Sequence, residues 1–157
     1  MNQDPIFTVS GNDPEMNAAI KKAQDSFPEF IRELELESRR VIPALDEAIV
    51  KAFFFDPESP EEGEHMFVES IRFEDGMIHG VLSGEPQHLQ SYSLGQEVSF
   101  PVSRVSDWFV VIGGRGKGGY TLEIIARRMP ATVYREARSQ PPFSWFDLKP
   151  RPWWKLW

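Results

Sequence analysis

Imidazole is the side chain that titrates near neutral pH, so acid–base chemistry is sought first around His65, His79 and His88. Glu64–His65 is the best single candidate, a carboxylate beside a ring that can take or give a proton. The histidine spacings match no local metal motif, and no two stand four apart as on a zinc-binding helix, so no metal site is expected. Asp107–Trp108 follows Ser103 and Ser106 at a predicted strand start, and two readings of it stay open. In one, Asp107 accepts from turn N–H groups while Trp108 fills the core. In the other, Trp108 and Tyr120 wall a ligand site beside Asp107 and Thr121. A hydrolase-like enzyme would need Glu64, His65 and Asp107 in one cleft. No serine lies in a G-x-S-x-G elbow, and the chain has no cysteine to act as nucleophile, disulfide partner or zinc thiolate.

Two further stretches invite a ligand. Gly113–Gly119 (GGRGKGG) satisfies G-x-G-x-x-G at Gly114, Gly116 and Gly119. A dinucleotide fingerprint requires a helix next, to aim its first N–H groups at the pyrophosphate. Tyr120–Ile125 reads as strand, so a mobile hairpin loop is expected, with an anion-binding nest helped by Arg115 and Lys117 as the alternative. A phosphate loop of the Walker type fails because Gly118 follows Lys117. The acidic run Asp56, Glu58, Glu61, Glu62 and Glu64 lacks the order of a calcium loop, and Pro57 and Pro60 favour an extended chain. A solvated loop is expected there. No cofactor is implied by any of these motifs.

The elements that must position these residues follow from pattern. Asp13-Pro14-Glu15 is a helix start, and Met16, Ile20, Ala23 and Phe27 fall on one face. Ser26-Phe27-Pro28-Glu29 has the capping-box pattern and predicts a second helix that fades before Pro43. Ala48–Phe55 reads as strand. His65–Phe73 and Met77–Leu82 flank Glu74-Asp75-Gly76 as a hairpin. Glu97–Val102 forms another strand, and Trp108–Ile112 with Tyr120–Ala126 predict a second hairpin around the glycines. Helices followed by strands imply an α+β fold. Two N-terminal helices would pack on a strongly curved antiparallel sheet of about six strands, an SH3-like barrel being one form of it.

The chain has 157 residues, enough for one domain, and a net charge of −7. A pI of 5.0 argues against a nucleic-acid partner, which requires a basic footprint. The charge is unevenly spread. Residues 1–126 hold 10 Lys and Arg against 22 Asp and Glu, whereas residues 127–157 hold seven against two. That last stretch also carries four of the five tryptophans. Three readings compete for it: an extended chain wrapped on its own domain, docking in a partner's groove, or contact with a membrane surface. Trp145, Phe146, Trp153, Trp154 and Trp157 are the candidate partner-binding residues. The first residues lack a basic segment followed by an apolar one, so no secretory signal is expected and cytoplasm is the expected address.

Several blocks resemble a known family. Asp13–Ile20 (DPEMNAAI), Pro28-Glu29-Phe30, Ala48-Ile49-Val50-Lys51 and Glu64–Val68 (EHMFV) are similar to the YegJ-like bacterial proteins, a family of unknown function. The likeness resumes at Gly95–Val98, at Val105–Trp108 (VSDW) and at Gly118–Leu122 (GGYTL). Phe67 stands where the family pattern suggests Trp, Glu35–Leu45 resembles an insertion, and the tail after Arg128 lies outside the likeness. The resemblance implies a small bacterial α+β domain with no established chemistry. The expected organisation is a domain over 13–128 and a Pro- and Trp-rich basic extension over 129–157. The expected role is a non-enzymatic cytoplasmic protein-interaction domain, a toxin-neutralising immunity-type protein being one instance. A small-ligand binder or hydrolase-like enzyme, and peripheral membrane association through the tail, are the alternatives.

Overall fold

Asp13 and Pro14 start the first helix as their residue types require. In the computed structural model, which describes residues 13–148, α1 spans Pro14–Asp25 and Asp13 accepts from the Met16 N–H at 3.1 Å. A second helix, α2 (Phe27–Arg39), follows after Ser26. The capping box does not form there. The Ser26 hydroxyl instead bonds the Ala23 carbonyl and accepts from the Trp108 indole N–H at 3.1 Å.

Six strands come next: β1 (Leu45–Phe55), β2 (Gly63–Glu74), β3 (Met77–Leu82), β4 (Glu97–Pro101), β5 (Val105–Ile112) and β6 (Arg115–Gly118). They form one antiparallel sheet in the order β4-β3-β2-β1-β5-β6. The sheet is open, with β4 and β6 at its edges, so the barrel does not form. The β2–β3 turn puts Asp75 and Gly76 at φ 52° and 75°, the left-handed pair that a two-residue hairpin needs.

The second hairpin differs from its prediction. Gly113 and Gly114 (φ 57° and 76°) make the turn, and the glycine-rich stretch itself becomes β6. Tyr120–Ala126, expected as a strand, lies in helix α3 (Tyr120–Arg128). Its β-branched and aromatic residues favour strand, but Glu123 in the first turn and Arg127–Arg128 in the last suit the helix dipole. The expected extended tail is also partly helical, with α4 over Ala131–Ala137 and a 3₁₀ turn over Phe143–Trp145.

Helices α1 and α2 cover one face of the sheet. Val50, Ala52, Phe54, Met66, Val68 and Trp108 point into that core with Phe27 and Phe30. Trp108 is fully buried and its indole also donates to the Ala23 carbonyl. On the opposite face Phe109, Val111 and Leu122 pack with Phe67, Trp145 and Phe146. Phe146 lies so close over Gly116 that a Cβ there would meet its ring at 2.4 Å. Strand β5 is therefore covered on both sides, and Val105–Val111 are all buried. The basic end of α3 closes onto the acidic start of α1 through Arg128–Asp13 (2.6 Å) and Arg127–Glu15 (2.5 Å). No described helix is long and apolar enough to cross a membrane.

Candidate functional site

Alternation along the strands puts Lys51, His65 and Asp107 on the face opposite the helices, between the inward residues Val50, Met66 and Trp108. Lys51 pairs with Asp107 in the β1–β5 register, and the ladder shifts at the next step, where Ser106 is the extra residue. That bulge frees the Ser106 hydroxyl to donate to the Lys51 carbonyl at 3.1 Å. The same hydroxyl lies 2.9 Å from His65 Nδ1. Its single proton is committed to the carbonyl, so it accepts from Nδ1–H. Burial and the nearby Lys51 charge push the His65 pKa down to about 4. A ring so weakly basic is a poor general base at neutral pH.

Asp107 is fully buried and joins β5 to α3. One carboxylate oxygen accepts from the N–H groups of Trp108 (2.9 Å) and Tyr120 (3.0 Å). The other accepts from the Thr121 N–H (2.8 Å) and hydroxyl (2.5 Å). Four donors fill the lone-pair sites of the carboxylate. Burial raises the Asp107 carboxyl above its ordinary value, while these donors and Lys51 pull the other way. Burial lowers the Lys51 ammonium in turn, opposed by Asp107. The pair is thus held in a poorly solvated layer, with Lys51 Nζ 6.0 Å from the Phe67 ring.

This cap changes the reading of the glycine-rich segment. A helix does follow it, contrary to expectation, but the N–H groups of Tyr120 and Thr121 are taken by Asp107 and do not face a phosphate. Lys117 is also engaged, lying 3.4 Å from Glu33 and 3.7 Å from Glu29 on α2. Arg115 is exposed at the start of β6. Trp108 and Thr121 are core residues, so of the expected aromatic wall only Tyr120 reaches a cleft.

Glu64 does not join His65 and Asp107. Neighbouring residues of a strand face opposite sides, and the Glu64 carboxylate accepts from the N–H groups of Gln87, His88 and Leu89 at 2.7–3.0 Å. Asp56 holds Gln90 and Ser91 in the same way. Two members of the acidic run thus staple the 83–93 loop, whereas Glu58, Glu61 and Glu62 are exposed as a solvated loop would have them. His79 meets Ser99, and no group of three or more His, Cys, Asp or Glu among the described residues is arranged to hold a metal. Sequence reasoning missed Lys51 and Ser106. A charge inside the apolar run AIVKAFFF was the available signal, because such a charge must find a partner.

A cleft of about 410 Å³ opens beside the start of α3. Lys22, Gly118, Gly119, Tyr120 and Glu123 form one side, and Phe146, Asp147 and Leu148 the other. Lys22 Nζ sits 5.0 Å over the Tyr120 ring. Trp145 and Phe146, expected to meet a partner, pack on Phe109 at 5.9 and 5.8 Å between ring centres. Trp153, Trp154 and Trp157 lie outside the described residues.

A model of the family described as uncharacterized protein conserved in bacteria (DUF2314) matches residues 13–140, past the Arg128 boundary drawn from the sequence. A putative ankyrin repeat protein of Neisseria meningitidis serogroup B is 38% identical over 146 residues, covering 92% of this chain and 56% of the relative. The uncharacterized protein YegJ of Escherichia coli is 26% identical over 137 residues, covering 87% of this chain and 84% of YegJ. The chain thus spans little more than half the length of the Neisseria relative. No solved structure matches.

Proposed function

The chain belongs to the family of uncharacterized proteins conserved in bacteria (DUF2314), and within it we propose a cytoplasmic protein-binding domain that acts without catalysis. The observation that carries this reading is that the chemically apt side chains serve the fold. Asp107 spends both oxygens on α3, His65 is weakly basic and tied to Ser106, and Glu64 holds the 83–93 loop. The cleft between α3 and Phe146–Leu148 is the binding site in this reading. Tyr120, Phe146 and Leu148 offer apolar contact, and Lys22, Glu123 and Asp147 offer charges that orient a bound segment. The net charge of −7 favours a basic partner, and a toxin-neutralising protein of immunity type is one instance.

Capture from a bacterial lysate, followed by calorimetry with the purified partner, tests the proposal. Lys22→Glu and Leu148→Asp should each weaken binding about tenfold or more, the scale of a central contact worth over 1 kcal/mol. Glu58→Ala, on the exposed acidic loop, should leave it unchanged. Unaltered affinity of both cleft variants for the same partner would overturn the reading.

A further inference from the structure

Helix α2 turns a charged and apolar stripe to solvent at Pro28, Arg32, Glu35, Leu36 and Arg39. Neither Arg32 nor Glu35 makes an ion pair among the described residues. Beside the N-terminal half of the stripe lies a groove of about 420 Å³, floored by Phe27, Ile31, Phe73 and Val102. Past its C-terminal end the chain displays Val41 and Ile42 at 98% and 80% exposure. The loop that carries them is held in place. The Glu37 carboxylate accepts from the Ala44 and Leu45 N–H groups at 3.0 and 3.1 Å and pairs with Arg40 at 2.6 Å. Two β-branched side chains held in water past one end of the helix and an open apolar groove beside its other half mark a contact surface.

We propose that a second copy of this chain covers this surface, the two α2 helices running antiparallel about a two-fold axis that passes between them at the level of Glu33 and Leu34. Under that symmetry Arg32 faces the partner's Glu35, and the partner's Arg32 faces Glu35, so the stripe is complementary to itself. At about 1.5 Å per residue, Phe27 and Arg39 are about 18 Å apart along the helix. An antiparallel copy therefore brings its Val41–Ile42 tip over the groove at Phe27, and the exchange is reciprocal. Asp46 and Glu47, both exposed just beyond the loop, disfavour an anionic membrane as the cover. This surface shares no lining residue with the cleft beside α3, so it stands or falls apart from the proposed partner site.

Sedimentation equilibrium of the full chain over a concentration series provides the test. The wild type should follow a monomer–dimer isotherm, and the Val41→Asp/Ile42→Asp double variant should be monomeric and melt where the wild type melts when diluted to monomer, since both side chains are exposed in the single chain. Arg32→Glu and Glu35→Arg should each weaken the dimer at least tenfold by facing like charges across the axis. Combining them, Arg32→Glu/Glu35→Arg, should restore it, because the symmetric pairs are re-formed with their signs exchanged. A wild type that stays monomeric up to millimolar concentration would overturn the proposal. So would a dimer that survives Val41→Asp/Ile42→Asp, or a double charge swap no tighter than the single ones.

Discussion

The two faces of the sheet rest on different physics. Under α1 and α2 the face is apolar, with Val50, Phe54, Val68 and Trp108 buried against Phe27 and Phe30. On the other face Lys51, His65 and Asp107 stand among Phe67 and Phe109. The first face needs only area removed from water, which is a non-directional requirement. The second needs each polar atom to meet a partner at the right distance, because a buried polar group left alone is costly. The face that looks catalytic in the sequence is thus the one whose polar groups are occupied in joining β1, β2, β5 and α3.

The largest effect should come from breaking the apolar face. Trp108→Ala removes a fully buried ring and its bonds to Ala23 and Ser26, and should cost about 3–5 kcal/mol in urea unfolding. A loss below about 1 kcal/mol would mean that this face does not dominate stability.

Breaking the polar face comes next. Asp107→Ala leaves the Tyr120 and Thr121 N–H groups without their acceptor and should cost about 2–4 kcal/mol. Hydrogen exchange should speed up along α3 while β2 and β3 keep their protection. Equal loss of protection in both regions would contradict a local capping role for Asp107.

The smallest effect is the share of the pH dependence that His65 contributes. Its folded-state pKa of about 4 lies below the ordinary 6.5, so the unfolded chain holds the extra proton between those values. The contribution of His65 is complete above pH 6.5 and falls away as pH drops towards 4. His65→Gln should flatten the melting temperature across that window. An unchanged slope would place the titration elsewhere and weaken the contrast between the faces.

Much of the helix-covered face was legible in advance. Asp13-Pro14 starts α1, the apolar run Ala48–Phe55 lies in β1, and the β2–β3 turn sits at Asp75-Gly76. These are local signals, carried by capping, strand propensity and turn chemistry. The candidate site was legible only in its parts. Asp107, Trp108, Tyr120 and Thr121 stand out by type, yet which of them faces a cleft depends on where α3 begins.

Residue order by itself determined the α+β class, the hairpin at Asp75-Gly76 and the family likeness from Asp13 to Leu122. Only the tertiary structure decided that Tyr120–Arg128 is a helix, that the glycine-rich segment is an edge strand and that Glu64 and His65 part ways. The reason is that each depends on a partner distant in sequence. Asp107 caps α3 from β5, Phe146 lies over Gly116, and Ser106 reaches His65 through a bulge opposite β1. Local propensity is a weak prior against one buried carboxylate with four donors around it.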